Sequence, residues 1–315
     1  MTSSKKLVIQ IPCYNEESSI LRVLESLPQQ LPEIDSIEIL IVHDGSSDNT
    51  VSIAQKFGVK HILKLQSNRG LARAFQLGIE ECLKLGADYI INIDGDNQYQ
   101  SSFIGKLLNP ILLHQADVVV GSRPIEDIED FSWIKQKLQR IGTWVVNFLS
   151  GLKIQDATSG FRAFSRFAAC QISIVSDYTY TLETLVAFGQ NKIRVMDILI
   201  QTNKVSRPTR LVKSNFNYVC KSVITLLRIY WVYAPLKFFF GLGSLNVFLG
   251  LVFTSKYFYY FLLPTRKIHL QSMLEAVACF TFAILFFVVG IINDTTRVNR
   301  KILEKILSDQ RIKKF

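Results

Sequence analysis

The stretch NIDGDNQ, residues 92–98, sets Asp94 and Asp96 on either side of Gly95. In extended chain, residues two apart point the same way, and a glycine between them lets the backbone turn sharply. Two such carboxylates can hold Mg²⁺ or Mn²⁺, hard ions that take oxygen ligands and share their shell with substrate phosphates. Gln98 would add a carbonyl oxygen. An Asp-x-Asp pair alone is weak evidence, because acidic loops are common. Its weight comes from following the apolar run ADYIINI, which reads as a buried strand.

Other polar clusters have the same setting. In PCYNEE (12–17), Pro12 is expected to stop a strand, and Tyr14 offers a flat face for a base. Asn15 and Glu16 offer hydrogen-bonding groups or a helix cap. In HDGSSDNT (43–50), Asp44 could accept from a base or ribose, Gly45 and Ser46 make a turn, and Asp48 could cap the next helix. NRG (68–70) marks a helix N-terminus suited to phosphate. In DATSGFRAFSR (156–166), Ser159 and Gly160 suggest a tight turn near a ligand, and Arg162 suits an internal carboxylate or a ligand. SRPTRLVKS (206–214) supplies Arg207, Arg210 and Lys213. Guanidinium groups grip phosphates bidentately, although a basic run before a membrane span also suits lipid headgroups.

The elements that would position these groups alternate up to about residue 122. Apolar β-rich runs occur at KLVIQI, IEILIV, HILKL, YIINI and DVVVG, with helical stretches between them. That order predicts βαβ units, an α/β fold with a mainly parallel sheet covered on both faces. Ligands bind such sheets at the carboxyl ends of the strands, where PCYNEE, HDGSSDNT and DGDNQ fall. After the polar PIEDIEDFSW, IKQKLQRIGTWVVNFLSGL reads as an amphipathic helix with Trp133, Leu138, Ile141 and Val145 on one side. It suits a lid, a membrane-lying helix or ordinary core packing.

Together these motifs resemble glycosyltransferase family 2, whose catalytic domain has the GT-A fold. The resemblance spans roughly residues 5–215 and rests on PCYNEE, HDGSSDNT, NRGLARAFQLGI, DGDNQ, VVVGSR and DATSGFRAFSR in family order. It is nearest to the dolichol-phosphate mannose synthase and bacterial polyprenyl-phosphate glycosyltransferase branch. It implies a nucleotide-sugar donor (UDP or GDP), a divalent metal, inversion at the anomeric carbon and a polyprenyl phosphate acceptor. By that likeness Pro12, Tyr14, Asn15, Glu16, Asp44 and Ser46 surround the nucleotide. Asp94, Asp96 and Gln98 fall on the metal and diphosphate site. Asp156 stands where related enzymes place a catalytic or acceptor-orienting carboxylate. Arg207, Arg210 and Lys213 match a phosphate-binding basic segment, with Arg123 and Ser159 as further phosphate or acceptor contacts. His43 departs from the family, which often has a second aspartate there.

The remaining sequence is membrane-like. PLKFFFGLGSLNVFLGLVFTSKYFYYFLL and MLEAVACFTFAILFFVVGIIN are each long enough to span about 30 Å of hydrocarbon. The domains expected are a catalytic region at 1–215, a linking helix at 216–234, spans at about 236–262 and 272–292, and a basic tail at 294–315. The net charge of +10 suggests an anionic partner. From Lys192 to Lys237 about nine basic residues face one acid, beside the first span, so lipid rather than nucleic acid explains them. The short connection also holds Lys256, Arg266 and Lys267, yet the basic flanks at both ends still favour a hairpin with both termini cytoplasmic, the tail lying near anionic headgroups. The small residues of GLGSLNVFLG would let helices pack closely, within one chain or between copies. The five cysteines lack metal-ligand spacing, and the N-terminus lacks the apolar core of a signal peptide.

Three readings compete with lipid-phosphate transfer. A processive polysaccharide synthase would carry a Q-x-x-R-W motif and more spans. A glycolipid synthase would use a hydroxyl acceptor. A silent partner subunit would have no need of Asp94 and Asp96.

Overall fold

The structure is a computed structural model. It describes residues 4–124, 133–174, 180–203, 215–262 and 270–314, without the side chains of 133–135 and 215–222. Arg207, Arg210 and Lys213 lie outside these residues, as do most of PIEDIEDFSW and the Arg266–Lys267 pair. The chain divides into a first unit of Met1–Ser222 with Glu304–Phe315 and a second of Val223–Leu303.

The first unit opens with the expected alternation: β1 (Lys6–Cys13), α1 (Ile20–Ser26), β2 (Ser36–His43), α2 (Thr50–Phe57), β3 (His61–Lys64), α3 (Leu71–Lys84) and β4 (Tyr89–Asn92). A 3₁₀ turn at Ser101–Phe103 leads into α4 (Ile104–Leu112) and β5 (Val118–Ser122). Then come α5 (Trp133–Ser150), β6 (Arg162–Ser165), α6 (Arg166–Cys170), α7 (Tyr180–Gln190), β7 (Val195–Leu199) and the start of α8 (Asn215–Tyr233). The seven strands are ordered β3-β2-β1-β4-β6-β5-β7, with β6 antiparallel to both neighbours and the other pairings parallel.

β1 is apolar on both faces because it lies inside the sheet. Leu7, Ile9 and Ile11 enter a core with Ile20, Val23 and Leu24 of α1 and Leu107, Leu108 and Ile111 of α4. On the other face Gln10, fully buried, donates to the Phe75 carbonyl of α3 (3.2 Å) and to Asn92 Oδ1 of β4 (2.9 Å). Buried polar groups persist only when bonded in this way. Against the expectation, Pro12 does not stop β1, which runs on through Cys13. The Gln10 carbonyl accepts from Ile93 and the Cys13 carbonyl from Asp44, so Pro12 faces the β4 side. Pairing with β4 ends at Gln10–Asn92, so the missing proline N–H breaks no ladder bond.

The C-terminal residues of α10 (Leu270–Lys314) belong to this first unit. Arg311 donates to Glu80 of α3 (2.6 Å) and to the Ile172 carbonyl, and it is largely buried. The basic tail therefore spends this arginine on protein rather than leaving it for headgroups. Arg311→Ala should cost about 1.5–3 kcal/mol, the worth of charge-assisted hydrogen bonds, read as a lower Tm in detergent.

In the second unit, α9 (Pro235–Leu262) and α10 are long and apolar enough to cross a membrane by length and composition. They pack antiparallel. A Cβ on Gly243 would meet the Phe287 ring at 2.4 Å, and one on Gly250 the Phe280 ring at 2.9 Å, so residue numbers rise on one helix as they fall on the other. The small residues of GLGSLNVFLG thus receive aromatic side chains from within the chain. Most other side chains of both helices, among them Phe248, Leu251, Ile284 and Ile292, point outward and exposed.

Candidate active site

The parallel register brings the three N-terminal polar loops to one edge. Cys13 pairs with His43 at the ends of β1 and β2, and Asn92 ends β4 beside Gln10. The first two loops are then zipped together. The Asn15 amide donates to Ser46 Oγ (3.0 Å), and the Ser47 amide to Asn15 Oδ1 (2.9 Å). The Glu16 amide reaches Thr50 Oγ1 (2.9 Å), and the Glu17 amide reaches Asp48 Oδ2 (3.0 Å). Asn15 and Ser46 thereby shape the loops. Tyr14 is left 44% exposed, with a face free to stack.

Asp44 is buried, and both of its oxygens accept backbone amides: Arg69 N at 2.7 Å and Gly70 N at 2.9 Å. It therefore clamps the NRG turn at the start of α3. Asp48 accepts from Thr50 Oγ1 and from two backbone amides. Burial works to raise its carboxyl, but these hydrogen bonds hold it below the ordinary carboxylate range. His43 Nε2 lies 3.3 Å from the Ser46 carbonyl oxygen.

Asp94 and Asp96 leave β4 into this edge. Asp96 Oδ1 accepts from the Gln98 amide (3.0 Å), which curls the loop back. The loop is pinned from the far side, since Asn203 donates from its amide to the Gln98 carbonyl and from Nδ2 to the Asn97 carbonyl. Ser19 Oγ lies 2.8 Å from both the Gly95 carbonyl oxygen and Glu16 Oε2, joining the loop to α1. Asp94 Oδ1 is closed off from water and has no hydrogen-bond partner among the described residues. Burial first, then the neighbouring Asp96, push the Asp94 carboxyl up to about 7.

An unpaired, desolvated carboxylate oxygen beside a second carboxylate is the arrangement a divalent cation relieves. Among the described residues no cluster of three or more acidic, histidine or cysteine side chains forms a complete protein cage. Two carboxylates with the remaining positions left to substrate suit Mg²⁺ or Mn²⁺. Gly160 completes the wall. A Cβ there would sit 2.9 Å from Asp94 Oδ2 and 2.8 Å from the Tyr180 hydroxyl. Gly160→Ala should therefore displace the Asp94 carboxylate and lower transfer activity, with the fold retained by circular dichroism.

Behind the edge, Asp156 is fully buried and paired with Arg123, with Nε–Oδ2 at 2.7 Å and Nη2–Oδ1 at 3.3 Å. Arg123 Nη2 also donates to Thr158 Oγ1 (2.9 Å), and its guanidinium lies 5.9 Å from the centre of the Tyr99 ring. Burial works to raise the Asp156 carboxyl, but Arg123 and the Thr158 hydrogen bonds hold it below the ordinary range. A carboxylate so held is a poor proton acceptor at neutral pH. Arg123 spends Nε and Nη2 on these partners, and among the described residues nothing bonds Nη1. Arg162, fully buried, donates to the carbonyls of Ser159, Ala157 and Thr181 and to Thr184 Oγ1. It braces the DATSG turn.

Tyr99, Thr158, Asn92 and Tyr180 also build the site, and sequence reasoning passed over them. The Tyr99 hydroxyl accepts from the Gly160 amide (3.1 Å), and Asn92 Nδ2 donates to the Gly160 carbonyl (2.7 Å) and the Tyr180 hydroxyl (3.1 Å). Tyr99 directly follows NIDGDNQ, while Asn92 and Thr158 lie inside quoted motifs where no role was assigned to them, which was the one available signal.

The sequence matches the family described as Glycosyl transferase family 2 over residues 8–172. The chain belongs to this family. The glycosyltransferase is 29% identical over 225 residues to UDP-N-acetylglucosamine--dolichyl-phosphate N-acetylglucosaminyltransferase of Methanococcus voltae, covering 64% of this chain and 86% of the relative. It is 25% identical over 226 residues to the undecaprenyl-phosphate mannosyltransferase of Micrococcus luteus, covering 69% and 91%. A crystal structure of glucosyl-3-phosphoglycerate synthase from Mycobacterium tuberculosis, in complex with Mn²⁺, UDP and phosphoglyceric acid, matches with a TM-score of 0.56 and 15% identity. That match covers 72% of this chain and 78% of the other, and the likeness is one of fold: the glycosyltransferase has the GT-A architecture.

Proposed function

We propose that this glycosyltransferase moves a hexose from a UDP- or GDP-sugar to a polyprenyl phosphate, with inversion, at the cytoplasmic face of a membrane. The observation that carries the donor half is the unpartnered Asp94 carboxylate oxygen beside Asp96, at the carboxyl end of a parallel strand. The acceptor half is supported by relatives named for polyprenyl-phosphate substrates and by the two apolar helices of the same chain. Basic flanks outside the hairpin favour the cytoplasmic side.

In this reading Tyr14 stacks on the base, and the loops zipped by Asn15, Ser46 and Asp44 hold the nucleotide pocket open. Asp94 and Asp96, with Gln98 beside them, would hold a divalent cation. That cation supplies neutralisation of the leaving diphosphate as a Lewis acid. Arg123 offers Nη1 to a phosphate oxygen, while Asp156 and Thr158 fix its plane. Arg207, Arg210 and Lys213 are proposed to grip acceptor or donor phosphates, with Ser159 at the adjoining turn. The acceptor phosphate oxygen attacks the anomeric carbon in line as the nucleoside diphosphate departs. A phosphate monoester loses its second proton at about pH 6, so the nucleophile arrives ionised and needs no strong base. That matches an Asp156 held by Arg123.

Calorimetric titration with UDP- and GDP-sugars tests the donor half. Binding is expected with Mn²⁺ and lost with EDTA. Equal affinity in EDTA would overturn the cation assignment.

A further inference from the structure

A chain of buried polar groups runs from α3 through β1 and β4 towards Asp94. Gln10, Cys82 and Asn92 are fully buried, and Tyr180 is 1% exposed. Two backbone carbonyls, which can only accept, fix the direction of the bonds in this chain. The Phe75 carbonyl takes one hydrogen of Gln10 Nε2, so the other goes to Asn92 Oδ1. The Gly160 carbonyl takes one hydrogen of Asn92 Nδ2, so the other goes to the Tyr180 hydroxyl oxygen. The Cys82 thiol closes the far end on Gln10 Oε1 (3.8 Å). Flipping either amide would set acceptor against acceptor.

Tyr180 therefore accepts from Asn92, and its own proton points elsewhere. Among the described residues nothing takes that proton. Burial first, and then the nearby Asp94, hold the phenol protonated. The ring is held in place: it stacks on Phe75 with centroids 4.0 Å apart, and the Arg162 guanidinium lies 6.0 Å from its centre.

One anionic group borders the same gap. The point where a Gly160 Cβ would stand is 2.8 Å from the Tyr180 hydroxyl oxygen, and 2.9 and 3.1 Å from the two Asp94 oxygens. The glycine leaves that point open. Asp94 Oδ1 has no donor among the described residues, and Tyr180 holds a donor without an acceptor. Two desolvated polar groups left idle side by side are costly unless they meet.

We propose that Tyr180 is a positioning residue for Asp94: its hydroxyl donates to the carboxylate across the Gly160 gap and fixes the plane in which Asp94 presents its other oxygen to a divalent cation. Outer groups that hydrogen-bond to a ligating carboxylate orient it in this way. Asn92 occupies the hydroxyl oxygen from behind, which leaves the proton for Asp94. The inference rests on the reading of Asp94 as a cation ligand, and the test separates the two.

Tyr180→Phe removes the hydroxyl and keeps the ring on Phe75. The full chain in detergent is titrated calorimetrically with UDP and with GDP over a range of Mn²⁺ concentrations. The variant is expected to need about 10–100-fold more Mn²⁺ for half-maximal nucleotide binding, the cost of losing an outer partner of a metal ligand, while its Tm falls by only about 2–4 °C. A lowered Tm with the Mn²⁺ dependence of the wild type would make the hydroxyl merely structural and overturn the proposal. Should that variant fail to fold, Tyr180→4-fluorophenylalanine fills the place of the hydroxyl without a proton to give, and the same rise is expected. If the wild type binds nucleotide equally well in EDTA, the cation reading falls and this inference with it. If the wild type needs Mn²⁺ and the position-180 variant needs no more, the positioning role alone falls.

Discussion

Asp96→Ala is expected to lower transfer by on the order of 10²–10³-fold, the scale on which loss of one preorganised charge-stabilising group registers. In the proposed reaction the nucleoside diphosphate gains negative charge as it leaves, and Asp94 and Asp96 would recruit the cation that offsets it. The fold asks little of Asp96. Among the described residues its carboxylate accepts only the Gln98 amide within the same loop, so stability should change by no more than about 0.5 kcal/mol, as for surface substitutions elsewhere. Removing Asp96 also removes one of the causes that raise the Asp94 carboxyl. A variant with unchanged Tm and collapsed kcat is therefore expected, and Asp94→Asn should match it in rate. Near wild-type turnover for Asp96→Ala would remove the basis for the donor site.

Asp156→Asn is expected to act first on stability. It strands the Arg123 guanidinium beside an uncharged amide inside the protein, and breaking a buried pair from one side costs about 3–5 kcal/mol. Pairing it with Arg123→Met should restore most of that stability, because an apolar replacement leaves no unmatched charge. Transfer should stay low in the double variant, since Arg123 Nη1 is gone. A general base would behave otherwise: Asp156→Asn would keep its Tm and lose kcat alone. The same pair gives a pH expectation. The folded Asp156 carboxyl lies below its unfolded value of about 3.9. Its contribution to stability is thus fully present above that value and is lost as pH falls through the lower folded value. The wild type should lose stability in acid more steeply than the double variant, measured by thermal melts.

The first half of the fold is legible because its signals are local. KLVIQI, IEILIV, HILKL, YIINI and DVVVG each fall within a residue or two of β1 to β5, and the intervening helical patterns match α1 to α4. β6 leaves no such mark. RAFS is four residues long, and its antiparallel place is set by β4 and β5, more than forty residues earlier. For α5, periodicity reveals an amphipathic helix but not which side meets the protein. Leu138 and Val145 end half-buried and Ile141 exposed, because Thr143 and Asn147 find partners in the following loop.

In the site, residue types were readable and pairings were not. Asp44 looks like a ligand contact in sequence, yet its partners are backbone amides, which carry no residue identity. Asp156 and Arg123 stand 33 residues apart, and nothing local announces that each occupies the other. The crowding at Gly160 likewise appears only once Asp94 and Tyr180 converge on it.

The central claim is transfer of a sugar from a nucleotide to a lipid phosphate, and a donor panel tests it most directly. Purified protein in detergent, with Mg²⁺ or Mn²⁺ and undecaprenyl phosphate, is given radiolabelled UDP- and GDP-sugars, and lipid is extracted. The account predicts label in an acid-labile lipid from one donor, absent when EDTA is added. Cation-dependent donor hydrolysis with no label in lipid would contradict the lipid-phosphate acceptor.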